Sequence, residues 1–256
     1  YNMLKFALRS FQVWGDTRYM DYYEHALYND ILASQDPVSG GMTYYMSLMP
    51  GGFKSYSDGF NLGGVWCCVG TGMENHAKYG SAVYFHNEKD LLTGLYIPSE
   101  LSWKEKGLQV QLQTRFPDED DITFRIIRNR SFNGNLLFRV PAWAKEYRFA
   151  INGRESKGIA PANGIIALKG NWKAGDEIKI HFRQDFQINR ARDDSNMIYF
   201  TKGPVVYAAE LGKDKMPGSD LVKRARQYND WVTPQDDVPV LAGYDAPVRQ
   251  WLSEDP

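Results

Sequence analysis

The chain has 256 residues, enough for one large domain or two ordinary ones, and at this size roughly 70 to 75% of the unfolded surface is buried on folding. Its 30 basic and 31 acidic residues leave a formal net charge of -1, so no long-range field draws it toward nucleic acid or an acidic membrane surface. No run approaches about 18 consecutive apolar residues, which excludes a segment that reads as a spanning helix.

The chain opens with Tyr1-Asn-Met-Leu-Lys-Phe6, already inside an apolar helical pattern and without an initiator Met or a capping residue. It reads as a piece of something longer. Met3, Leu4, Ala7, Leu8, Phe11 and Trp14 recur at three- and four-residue spacing and predict a first helix with one apolar stripe. Gly15-Asp16 stops that helix and caps the next, expected from Thr17 to Ser34, with Met20, Tyr23, Ala26, Leu27 and Ile31 on a shared face. The two make an αα-hairpin. After Asp36-Pro37 the text becomes irregular and glycine-rich, and only Met42-Thr-Tyr-Tyr-Met46 looks extended. A third helix is expected from near Thr71 to about Tyr84, with Met73, Ala77 and Tyr84 turned inward.

From Leu91 the period changes to two. Strands are predicted over 91–97, 108–114, 122–126, 136–140, 147–151 and 177–182, punctuated by turn signals at Asn133-Gly134, Asn152-Gly153 and Trp172-Lys-Ala-Gly-Asp176. Short strands at this spacing indicate an antiparallel sandwich. Met197-Ile-Tyr-Phe200 and Val205-Val-Tyr-Ala208 begin another β segment. The expected organisation is therefore α+β: helical residues 1–88, a β-sandwich over 89–190, and the start of a second β segment over 191–256. Aromatic residues make up 14% of the chain, which suits both a sugar-stacking surface and an ordinary sandwich core.

Cys67 and Cys68 are the only cysteines, and they lie between Trp66 and a glycine-containing helix entry. Neighbouring cysteines cannot reach the usual bridge geometry without straining the peptide between them. A metal pair, a reactive thiol and plain burial remain open. Zinc favours thiolate, imidazole and carboxylate ligands, and Glu24, His25, Glu74 and His76 are the other donors at hand, none at a recognised ligand spacing from the pair. A helix N-terminus beyond the pair would lower a thiol pKa and favour a nucleophile.

Four strings carry a resemblance: Tyr1-Asn-Met-Leu-Lys; Gly15-Asp-Thr-Arg-Tyr-Met-Asp-Tyr-Tyr-Glu-His-Ala-Leu-Tyr-Asn29; Ile31-Leu-Ala-Ser-Gln-Asp-Pro37; and Trp66-Cys-Cys-Val-Gly-Thr-Gly-Met-Glu-Asn-His-Ala-Lys-Tyr-Gly80. In this order they resemble the β-L-arabinofuranosidase group, glycoside hydrolase family 127, and the similarity continues through Ile97-Pro-Ser-Glu-Leu101. The resemblance implies the last helices of an (α/α)₆ barrel followed by β-sandwich. It also implies a retaining glycosidase acting on an L-arabinofuranose-type carbohydrate, with a zinc ion held by three cysteines and one glutamate. Cys67 matches the family's nucleophile, which is also a zinc ligand, and Cys68 its fellow ligand; Glu24 matches a glutamate that contacts the sugar and Tyr45 a pocket tyrosine. The family's other two ligands, in a Glu-x-Cys motif, and its acid/base glutamate precede the Tyr-Asn-Met-Leu string and are not in this sequence, which implies an inactive chain when it stands alone. By analogy the resemblance points to a secreted or periplasmic polysaccharide degrader. Two other readings are a non-catalytic carbohydrate-binding or structural β-sandwich module, and a redox switch built on the vicinal thiols.

Overall fold

The structure, a computed structural model, describes residues 1–43, 56, 67–156 and 160–208. It divides into two compact units: Tyr1–Tyr28, Ala77–Asp185 and Thr201–Val205 form one, and Asn29–His76, Phe186–Phe200 and Val206–Pro256 the other.

The first unit begins with helices α1 (Asn2–Trp14) and α2 (Arg18–Ala26). Gly15 closes α1, its N–H donating to the Phe11 carbonyl at 2.8 Å. Asp16 accepts the backbone N–H of Arg18 at 3.0 Å and so satisfies one of the amides that a helix start leaves without an intrahelical partner. Leu4, Ala7 and Phe11 are buried as the stripe requires, but Met3 and Trp14 are exposed, Trp14 to 64%. The face expected on the second helix is buried throughout: Met20, Tyr23, Ala26, Leu27 and Ile31. The helix itself is less regular than its periodicity suggests. After Ala26 it widens into a π turn over Leu27–Ile31 and tightens into a 3₁₀ turn over Leu32–Ser34.

Two sheets build the rest of this unit. The first has order β1-β2-β6-β9, with β1 Tyr84–His86, β2 Leu91–Thr93, β6 Leu136–Arg139 and β9 Ile165–Leu168. The second has order β3-β4-β5-β10-β7-β8, with β3 Ser99–Trp103, β4 Leu108–Thr114, β5 Asp121–Asn129, β7 Tyr147–Ile151, β8 Arg154–Glu155 and β10 Glu177–Phe182. Alternate residues face one core. Val110 and Leu112 of β4, Ile122, Phe124 and Ile126 of β5, and Ile178, Ile180 and Phe182 of β10 join Leu91, Leu136, Phe138 and Ile166 of the other sheet in a single buried cluster. Phe124 meets Phe138 edge-to-face across the two sheets, with ring centroids 5.3 Å apart.

Asn152 and Gly153, both at positive φ, turn β7 into β8 as the Asn-Gly signal requires. Asn133-Gly134 is different, because β5 and β6 belong to different sheets and the dipeptide carries the chain between them. Glycine is obligatory there, since a Cβ on Gly134 would lie 1.4 Å from the Lys89 carbonyl oxygen.

Two further expectations need correction. The sheets are not wholly antiparallel: β2 runs parallel to β6, pairing Leu91 with Leu136 and Thr93 with Phe138. The third helix, α3, spans Cys67–His76 and ends well before Tyr84, which instead opens β1. Met73 is 61% exposed and Ala77 is exposed, so neither is turned into a core. The period-two text also failed to reveal β3, β9 and β11 (Phe186–Arg190). β11 precedes the anticipated pair, β12 (Ile198–Lys202) and β13 (Val205–Tyr207), in a three-stranded sheet.

In the second unit, which includes α3, Met42 forms an isolated antiparallel bridge with Gln35 and is buried. The remainder of the extended run expected there, Tyr45 included, lies outside the described residues.

Candidate functional site

The adjacent cysteines open α3 and therefore stand inside its first turn, where the sequence had placed them just ahead of the helix. A first turn carries the positive end of the helix dipole, an environment that favours thiolate over thiol. Their side chains, like Tyr45, lie outside what the structure describes. Among the described residues no three or more His, Cys, Asp and Glu side chains gather as a metal site.

Glu24 is placed in detail. Asp21 and Glu24 are three residues apart on α2 and so share a helix face. Arg139 closes β6 and is fully buried, an expensive position for a charge unless it is paired and every donor is used. Its Nη1 donates to Asp21 Oδ1 at 2.7 Å, its Nη2 donates to Glu24 Oε1, and its Nε donates to the Gly94 carbonyl at 2.7 Å. The Tyr96 hydroxyl donates to the Arg139 carbonyl oxygen. Trp143 Nε1 donates to Glu24 Oε2 at 2.9 Å. Asp21 Oδ1 also accepts the Ala142 amide at 3.1 Å. Both oxygens of Glu24, a residue only 1% exposed, are thus held by protein donors.

The electrostatics follow from this packing. Burial pushes the Glu24 carboxyl up from the ordinary range, with Arg139 and the Trp143 N–H pulling against it. Burial works against the Arg139 charge too, but the carboxylates of Glu24 and Asp21 outweigh it and raise the guanidinium pKa. Burial likewise raises the hydroxyls of Tyr28 and Tyr96. Trp143 is held in turn by stacking on Phe116, centroids 5.7 Å apart and 13° between planes. The cluster can hold one carboxylate in a fixed orientation. With both oxygens engaged, it is not arranged as a free general base.

The sequence reading named Glu24 as a candidate but not Arg139 or Trp143, the two side chains that hold its carboxylate. A signal was available: Arg139 is the only charge in Leu136-Leu-Phe-Arg-Val140, a run otherwise wholly apolar. A lone charge in such a strand has to be matched when the strand is buried.

Most aromatics of the two large sheets sit in the core, whereas Tyr199 and Tyr207 of the three-stranded sheet are exposed. Trp103 and Trp172 are buried, and His86 lies against Trp103 with centroids 4.6 Å apart, in a groove it shares with Asn87 and Lys106. No tryptophan among the described sheet residues presents an open face for stacking a sugar.

Residues 1–81 match the family described as Beta-L-arabinofuranosidase, GH127 catalytic domain, and residues 90–184 match its GH127 middle domain. A non-reducing end beta-L-arabinofuranosidase of Bifidobacterium longum subsp. longum is 24% identical over 233 residues, covering 81% of this chain and 34% of that protein. Among solved structures, a chain described as a glycoside hydrolase superposes with a TM-score of 0.69 at 21% identity, covering 80% of this chain and 36% of its own. A GH127 beta-L-arabinofuranosidase from Geobacillus stearothermophilus T6 gives 0.68 at 19% identity, covering 80% of this chain and 34% of its own. The fold is shared with both, and the chain spans about a third of the length of these relatives.

Proposed function

Because the chain belongs to glycoside hydrolase family 127, we propose that the intact protein is a retaining β-L-arabinofuranosidase-like enzyme in which Cys67 is the nucleophile. On this reading α1, α2 and α3 are the last helices of an (α/α)₆ barrel, residues 89–190 form a β-sandwich, and a further β segment starts near 191. The observation that carries it is the position of Cys67 and Cys68 in the first turn of a helix within the segment that matches the catalytic domain. The core cluster shared by the two sheets supports the sandwich.

The chemistry is a double displacement. The Cys67 thiolate attacks the anomeric carbon; a C–S bond forms as the bond to the leaving oxygen breaks, and that oxygen takes a proton from a general acid. Water then attacks the same carbon, the C–S bond breaks, the thiolate is restored, and the acid regains its proton from the water. By the resemblance the acid is a glutamate of the family's catalytic domain. Glu24 and Tyr45 contact the sugar.

Two adjacent thiols suit zinc in donor type and would supply two of the four ligands that such a site takes. When bound, the ion holds both sulfurs as thiolates at neutral pH. Family resemblance assigns the remaining ligands to a Glu-x-Cys motif outside this sequence.

The test is covalent trapping in the intact protein with a slow, fluorinated β-L-arabinofuranoside, followed by peptide mass spectrometry. The expected result is one glycosyl adduct on Cys67, and loss of at least about a thousandfold in kcat for Cys67→Ser. An adduct elsewhere, or retained turnover in the variant, overturns the assignment. The rival reading as a sugar-binding module draws no support from the sheets, whose described tryptophans are packed inward or partly buried.

A further inference from the structure

We infer that Arg139 and Trp143, which lie in the segment matching the middle domain, are positioning residues for the sugar site of the catalytic domain. This rests on the reading of Glu24 as a sugar contact. Glu24 belongs to the segment matching the catalytic domain, yet among the described residues the side chains that hold its two oxygens come from the middle-domain segment. Arg139 takes Oε1 and Trp143 takes Oε2. Both donors come from residues 90–184, and they lie 115 and 119 positions away in sequence.

The arrangement is over-determined in a way that simple burial does not require. The guanidinium is fixed by three separate acceptors, Gly94 O, Asp21 and Glu24, so it has no freedom to swing away from α2. The indole is fixed by its stack on Phe116, which leaves the N–H aimed at the carboxylate. A carboxylate gripped from two directions, Arg139 on Oε1 and Trp143 on Oε2, keeps one orientation. The middle domain is therefore a working part of the sugar site, and the compact unit reflects this: α1 and α2 cluster with Ala77–Asp185.

The experiment uses the intact protein, with 4-nitrophenyl β-L-arabinofuranoside for kinetics, L-arabinose for calorimetric titration, and thermal unfolding measured in parallel. Trp143→Phe keeps an aromatic ring to stack on Phe116 while removing the N–H together with part of the indole's area. It is expected to raise KM and weaken L-arabinose binding about fivefold, the scale of one hydrogen bond, in a protein that still folds cooperatively with a lowered melting temperature. Arg139→Met is expected to raise KM about tenfold or more, and Arg139→Lys to recover part of that, because lysine restores the charge without the fork. Folded Trp143→Phe and Arg139→Lys proteins with wild-type KM and wild-type L-arabinose affinity overturn the inference, whatever Arg139→Met does to folding. The Cys67 reading is judged separately. A Cys67→Ser protein that still turns over, beside a Trp143→Phe protein with raised KM, removes the nucleophile and leaves the positioning role standing.

Discussion

The cysteine pair and the Glu24 cluster are built in opposite ways. Cys67 and Cys68 are neighbours in the chain and require only a helix start to share an environment. Glu24, Arg139, Trp143 and Gly94 come from a helix, a strand end and two loops, and only the completed fold brings them together. This cluster puts a charge where water cannot reach it, and the surrounding fold depends on every partner being present.

That contrast can be tested by separating activity from stability. The largest effect is on catalysis: the thousandfold loss expected for Cys67→Ser should come with an unchanged melting temperature, and a large drop in stability would place the pair among structural residues instead. Next is Arg139→Met in urea unfolding. Removing the guanidinium leaves two carboxylates facing a buried site and should cost about 3–5 kcal/mol; a loss below about 1 kcal/mol would mean that water reaches the cluster. Phe138→Ala belongs to the same range, about 3–5 kcal/mol for an emptied aromatic site between the sheets, and a much smaller loss would show that the core collapses around it.

A smaller effect concerns pH. Glu24 is raised in the folded state by burial, so the folded protein holds that proton more tightly than the unfolded chain does. Its contribution is complete below the ordinary glutamate range and is lost as pH rises through the raised value. Stability followed by urea unfolding should therefore fall over that window, and Glu24→Gln should flatten the slope; an unchanged slope would assign the pH dependence to another group. The smallest effect is expected at the half-exposed pair Arg125–Glu177, 2.8 Å apart on β5 and β10. Arg125→Ala should cost no more than about 1 kcal/mol, and less in high salt.

Legibility followed the same division. Burying one face of an element leaves a period in the text, so the inner faces of α2, β4, β5, β7 and β10 could be read directly. The period carries no information about which strand lies alongside. The parallel pairing of β2 with β6 was invisible because those strands are 45 residues apart and only the crossover between sheets decides their direction. The helical placement expected of Ala77 and Tyr84 failed for a related reason: apolar spacing continued past the point where α3 stops at His76. Glu24 was found through its surrounding string, whereas its partners had no local signature beyond a lone arginine in an apolar strand.

The sequence alone determined the first two helix starts and most of the strands, the adjacency of the two thiols, and the string of residues that marks the family, because each depends on neighbours along the chain. Only tertiary structure decided that α2 meets the end of β6, that Arg139 is buried, and that both oxygens of Glu24 are held from the middle domain. Those contacts join positions more than a hundred residues apart, and the free energy that selects them comes from burying two apolar faces together, a quantity no local pattern records.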